Sequence, residues 1–270
     1  MNIFTVILTQ PLTNGLFFFY KFLGGNLGVA ILAFSVVLIF ALRPLTKPYM
    51  ESMKKIKEFQ PNIDKLKKKY GTDKLGFSKA QAELYKQKGI NPGAGCLPYI
   101  LQIAILIALF NVFTTSLSNN GETIAKLNTL LYQPLKLSQD ATLNNKFLYL
   151  DVSKPDKFNV PGVPFPLPGI FLLLAAFSQF LSVKITAPYI ATEKKIAKKT
   201  KAPEDDVQVA MTQSMTYMMP LMTVFFGMSF PSGLALYWLI FSIVNVFQQV
   251  GMSGWGGLTP FATRLGLVKS

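Results

Sequence analysis

The residues best placed to do chemistry are polar side chains set inside long uncharged stretches. They are Ser35, Gln102, Asn111, Gln179, Gln213, Asn245 and Gln248, with Arg43 at the edge of one such stretch. Ser, Asn and Gln hydrogen-bond without ionising, so the chemistry on offer is non-covalent: they can replace water that a polar chain loses on entering an apolar phase. On one continuous helix Ser35 and Arg43 would lie about 80° apart and share a broad face, and Asn245 and Gln248 also share a face. The same residues also read as interhelical glue, worth about 0.6 kcal/mol per bond, with Arg43 snorkelling to an interface. Bond-making chemistry has little to work with. The chain has no His, one Cys (Cys96), and no Asp or Glu inside these stretches. That removes His-based acid–base catalysis, Cys metal clusters and a carboxylate proton relay. With no phosphate-binding loop or metal-ligand cluster in the sequence, no cofactor and no enzyme activity are expected.

The elements that carry these residues follow from where charge is missing. Of the 270 residues, half are apolar and 15% are charged, with 27 Lys and Arg against 13 Asp and Glu, a net charge of +14. A soluble domain carries about 25% charged residues, so the composition points to a basic membrane protein. Residues 22–42, 91–121, 158–183 and 207–263 contain no ionisable side chain of the Asp, Glu, Lys or Arg kind. A membrane span needs about 20 residues. The last run is long enough for two helices, joined at Pro231-Ser232-Gly233. The expected spans are 25–43, 95–117, 167–186, 211–229 and 233–251. The fold class is therefore all-α: a polytopic membrane protein with five transmembrane helices.

Segment 1–24 lacks a basic leader, which argues against a cleaved signal peptide. Pro11 and Asn14-Gly15 are expected to interrupt it. The aromatic stretch 16–22 reads as an interfacial amphipathic helix, or as a simple hydrophobic lead into the first span. Lys and Arg number thirteen in 43–90, six in 184–210 and two in the tail, against Lys21 and five in 118–166. The positive-inside rule then places 44–90, 187–210 and the tail 252–270 in the cytoplasm, with 118–166 and the N-terminus outside.

Within 44–90, Tyr49, Ser52, Ile56, Phe59, Ile63, Leu66 and Tyr70 alternate spacings of three and four, a helical seam surrounded by lysines. Pro61 predicts a kink or restart, and Gly71-Thr72-Asp73 a turn into a second, shorter helix. The object is a basic helical hairpin. It is either a solvated hairpin that merely satisfies the positive-inside rule, or a paddle for anionic headgroups, the ribosome or a client chain. Nothing in it resembles a module that reads nucleic-acid sequence.

Several motifs are held in common with a known family. Gly25-Asn26-Leu27-Gly28 opens the first span, and Pro44-Leu45-Thr46-Lys47 follows it. Phe59-Gln60-Pro61 lies in the hairpin. Asn91-Pro92-Gly93-Ala94-Gly95-Cys96-Leu97-Pro98 with Gln102-Ile103 leads into the second span. Phe230-Pro231-Ser232-Gly233-Leu234-Ala235-Leu236-Tyr237-Trp238 turns into the fifth, with Gln248-Gln249 beyond. Over about 25–251 the chain resembles the YidC-type membrane protein insertases of the YidC/Oxa/Alb superfamily, in a short form lacking the large extracytoplasmic domain.

The resemblance implies a protein that inserts and helps fold membrane-protein clients, through a hydrophilic groove open to cytosol and lipid. Nascent clients and membrane lipids are the implied partners, with the ribosome, through 44–90, and the Sec translocon as further ones. The implied groove residues are Arg43, Ser35, Gln102, Asn111, Gln179, Gln213, Asn245 and Gln248. One departure stands out. The family's groove arginine usually lies five residues before the Pro of Pro-Leu-Thr-Lys, and that position is Ile39 here. Arg43 lies four residues later, which implies a shallower groove or an arginine reaching back. Ala104 also replaces a proline common after the Gln. A small channel or secondary transporter is the alternative; inverted repeats would favour it, and none is evident.

Overall fold

The computed structural model describes residues 3–71, 73–90, 97–116, 121–186 and 216–266. The expected loop 187–210 and the first residues of the fourth expected span, Gln213 among them, lie outside the described residues. The chain is mostly helical and divides into two units. One comprises Met1–Ala41, Ile100–Gln179 and Pro220–Val244; the other comprises Leu42–Tyr99, Phe180–Met219 and Asn245–Ser270.

In the first unit, a π turn (Thr5–Thr9) runs into α1 (Gln10–Phe22). Neither expected interruption breaks this helix. Pro11 sits in the first turn of α1, directly after the π turn. Asn14 stays helical because its amide bridges to another element: Nδ2 donates to Gln10 O and Leu130 O, both at 2.8 Å, and Oδ1 accepts from Tyr132 N at 2.7 Å. α1 packs on α2 (Leu27–Ala41). The expected extracytoplasmic loop, 118–166, together with the two residues after it holds a helix, α7 (Gly121–Leu130), and two short antiparallel hairpins. These are β1 (Lys146–Phe147) with β2 (Leu150–Asp151), and β3 (Lys157–Phe158) with β4 (Leu167–Pro168).

The first expected span ends early. α2 stops at Ala41, Leu42 forms a turn, and α3 (Arg43–Glu58) begins at Arg43. Pro44 accounts for this, since its ring would clash with the carbonyl four residues back and it has no N–H to donate. The 80° relation between Ser35 and Arg43 assumed a continuous helix through Leu42, so it does not hold. α4 (Gln60–Tyr70) restarts after Phe59 with Pro61 in its first turn. Asp73 caps α5 (Lys74–Gln87), its carboxylate accepting from Gly76 N at 2.9 Å, and α4 and α5 pack as a hairpin.

The remaining long helices are α6 (Leu97–Ser116), α8 (Ile170–Thr186), α9 (Thr216–Gly227) and α10 (Ser232–Ser253), followed by a short α11 (Thr259–Arg264). Among the described residues one helix alone is long and apolar enough to cross a membrane, Ser232–Gly251 at mean hydropathy 1.5. Ile100–Thr114, Ile170–Ile185 and Thr216–Gly227 are apolar but shorter. The first unit's core joins Phe17 of α1, Ile31 and Phe34 of α2, Leu109 and Phe113 of α6, Leu172 of α8 and Tyr237 of α10. Gly233 lets α10 enter this core. A Cβ there would meet Phe113 Cε1 at 3.0 Å and Ile31 Cδ1 at 3.1 Å.

The amphipathy of α9 runs opposite to that of a helix on a water-facing surface. Thr216, Pro220, Thr223 and Gly227, at helical spacing, are buried. Tyr217, Met218, Leu221, Met222, Phe225 and Phe226 are exposed. α8 repeats the pattern, with Ala175 and Ala176 inward and Leu173, Leu174 and Phe177 outward. Small faces let the two backbones approach: Leu172 of α8 lies against Gly227 of α9. This is how helices pack when their surrounding solvent is apolar.

Candidate functional site

The candidate residues fall into two sets, one in each unit. In the first unit, α2 carries Ser35, which is fully buried and donates its hydroxyl to Ile31 O. Gln102 of α6 lies beside Tyr237 of α10. The Tyr237 hydroxyl donates to Gln102 Oε1 at 3.3 Å, while Gln102 Nε2 is buried without a hydrogen-bond partner among the described residues. Gln179 of α8 accepts from the Thr223 hydroxyl of α9 at 2.6 Å. Asn111 is not brought to this side. It lies nine residues beyond Gln102, about 180° around α6, and is exposed.

In the second unit, Arg43 opens α3. Its guanidinium is exposed and pairs with no described residue. Asn245 and Gln248, on α10, are half-buried, and Gln248 Nε2 is a second buried amide nitrogen without a partner among the described residues. Ile39, at the position where the resemblance implies an arginine, is buried. The chemistry available is uniform. It consists of hydrogen-bond donors and acceptors on otherwise apolar helices and one exposed cation, with no cluster of metal-ligating side chains among the described residues.

Segment 144–169 acts as a clasp on the helix starts of the first unit. Asn144 O accepts from Leu27 N at 2.9 Å, and Asn26 Nδ2 donates to Lys146 O at 2.9 Å, which holds the start of α2. Lys154 O and Val152 O accept from Ser232 N (2.8 Å) and Gly233 N (3.0 Å), which holds the start of α10. The start of α8 is held by Asp156, 2% exposed, which accepts from Leu172 N at 2.9 Å and from the Tyr149 hydroxyl at 2.8 Å. The Tyr149 oxygen in turn accepts from Ile170 N at 2.9 Å. These bonds occupy N–H groups that a helix start otherwise leaves without partners.

The same contacts shift two ionisations. Burial, helped by the neighbouring Asp156 carboxylate, raises the Tyr149 phenol above its usual value and outweighs the backbone N–H donors of Phe171 and Ile170. Burial works against ionisation of Asp151. The Ser153 hydroxyl and N–H and the Lys154 ammonium, 3.5 Å away, outweigh it and hold that carboxyl below its usual range.

Sequence reasoning named Gln102 and Gln179 but missed their partners. Tyr237 was legible only as part of a turn motif. Thr223 had a signal, its spacing of four from Gly227 on a small-residue face. Asp156 had none, because a lone acid between two apolar runs looks like any loop residue.

The chain matches the 60Kd inner membrane protein family over residues 18–255. It is 32% identical over 249 residues to a protein of Pelobacter propionicus named membrane protein insertase YidC, covering 92% of this chain and 38% of that protein. Proteins of the same name from Rickettsia massiliae and Rhizobium etli are each 30% identical over 90% of this chain, of which they leave most of their own length unmatched, 38% and 35% being covered. The chain thus spans well under half the length of these curated relatives. The match over residues 18–255, which takes in every helix from α2 to α10, places this chain in the 60Kd inner membrane protein family.

Proposed function

We propose that this chain inserts membrane-protein clients into the bilayer and assists their folding, the activity its relatives are named for. The observation that carries this reading is the inside-out packing of the first unit. Hydrogen-bonding side chains lie inward at Ser35, Gln102 with Tyr237, and Gln179 with Thr223, while the large apolar side chains of α8 and α9 face outward. Such a body is soluble in lipid and keeps polar groups within reach of a passing chain.

In this reading α2, α6, α8, α9 and α10 are the five crossings. Those shorter than the roughly 20 residues of a full span fit a locally thinned bilayer. The lysine-rich α3–α5 segment faces the cytosol, with the N-terminus on the other side. In this reading the amides of Gln102 and Gln179, and separately those of Asn245 and Gln248, offer a client segment hydrogen bonds in place of water. Arg43 attracts acidic client residues near the cytosolic surface. The client's own apolar burial drives its release into lipid, so no nucleotide, metal or bond-making step is needed. The lysines of α4 and α5 meet anionic headgroups, and the ribosome is a further partner of that face; the Sec translocon is a further partner of the protein.

Depletion of the protein in cells, followed by scoring of a small single-span client, tests the reading; normal insertion without it would refute it. Arg43→Ala is expected to slow insertion of clients with acidic translocated segments about tenfold, equivalent to about 1.4 kcal/mol, and to leave neutral clients unchanged. Equal loss for both would make Arg43 structural.

A further inference from the structure

We infer that the proline-rich hairpin 158–168 is an interfacial anchor. It seats its apolar edge in the headgroup region of the leaflet that surrounds the N-terminal end of α8. This rests on the reading of α8 as a membrane crossing.

The first observation is in the sequence. The uncharged run containing α8 begins at Phe158, a dozen residues before the helix itself begins at Ile170, so the span does not account for all of it. The extra stretch is Phe-Asn-Val-Pro-Gly-Val-Pro-Phe-Pro-Leu-Pro. Four prolines lack an N–H, and Val163 N already donates to Val160 O, so few backbone donors would be stranded on leaving water.

The second observation is exposure. Phe165 is 62% exposed, and Phe158, Val160 and Leu167 also project from the hairpin. Single exposed apolar residues are ordinary, but here they continue into Ile170, Leu173, Leu174 and Phe177 on the outer face of α8. The third is rigidity. The Tyr149 ring lies 5.5 Å from Phe158 and 5.6 Å from Phe171, and its oxygen is bonded to Asp156 and to Ile170 N. Gly169 N donates to Asp156 O at 2.8 Å. The hairpin is therefore fixed to the first turn of α8 and must share its surroundings. Aromatic and proline side chains with an exposed lysine at the base, here Lys157, suit a boundary where apolar chains give way to phosphates.

Spin labels at single cysteines test this in a Cys96→Ala background, with the full chain in phosphatidylcholine–phosphatidylglycerol vesicles. Phe165→Cys and, as a second position, Val160→Cys report on the hairpin. Phe177→Cys reports on the span and Asp140→Cys on the aqueous side. Collision with oxygen relative to an aqueous nickel chelate measures depth. The expected ratio at 160 and 165 falls between a high value at 177 and a low value at 140. Nickel-dominated collisions at 160 and 165, with oxygen-dominated ones at 177, would overturn the anchor and leave the crossing intact; a protein partner covering the patch would give this result. Nickel-dominated collisions at 177 as well would remove the crossing and the anchor together.

Discussion

The clasp 144–169 and the lysine-rich α4–α5 hairpin both connect apolar helices, yet they use their polar residues in opposite ways. In the clasp, Asn144, Tyr149, Asp151 and Asp156 direct their hydrogen bonds to backbone groups and to one another. In the hairpin, Lys65, Lys68 and Lys69 are exposed around a narrow apolar seam, with Lys69 over the Tyr70 ring and Lys88 over the Phe59 ring. A polar group bonded to a helix start fixes geometry, whereas a solvated ammonium carries charge to a partner. One element is a fastener and the other a contact surface.

The strongest way to break that contrast is Asp156→Ala. It strands Leu172 N in a buried position and removes the acceptor of the Tyr149 hydroxyl, and about 3 kcal/mol of stability should be lost. Thermal unfolding in detergent measures this; an unchanged midpoint would mean the clasp holds nothing. Gly28→Ala comes next. Its Cβ would fall 2.3 Å from Phe147 Cβ, so α2 and β1 must separate, at about 1–3 kcal/mol, read in the same assay.

A smaller effect is a pH dependence. Asp151 ionises more readily in the folded clasp than in the unfolded chain, so its contribution is fully present above the ordinary carboxylate pKa of about 3.9. It is lost as pH falls through the lowered folded value. Acid unfolding should therefore be less steep in Asp151→Asn, and identical curves would refute the role. The smallest stability effect belongs to the hairpin. Lys65→Gln with Lys68→Gln should shift stability by less than about 0.5 kcal/mol. The pair should weaken binding to anionic vesicles, in a salt-dependent manner, by about 1 kcal/mol per lysine. A large loss of stability would make the hairpin a fastener too.

Much of the helical layout could be read from charge and proline alone. The uncharged runs mark α2, α6, α8, α9 and α10, and Pro61 and Asp73 mark where α4 and α5 begin. Pro44 also carried a signal, since it terminates α2 before Arg43. The site was half legible. Gln102 and Gln179 stand out as amides among apolar neighbours, but Asn111 looks the same in sequence and lies on the other side of α6. Asn14 looked like a helix breaker for a related reason: its preference for turns is local, and a partner 116 residues away overrides it.

By itself the sequence determined the apolar, basic character of the chain and where along it charge is concentrated. Those depend on composition summed over windows, and no contact can alter a side chain's transfer free energy. Only the tertiary structure decided which polar groups are already satisfied and which are left open. Ser35, Asn14 and Asp156 are each occupied by a partner, whereas Gln102 Nε2 and Gln248 Nε2 are buried without one among the described residues. Hydrogen-bond satisfaction is a property of pairs, and most of these pairs join residues far apart in the chain.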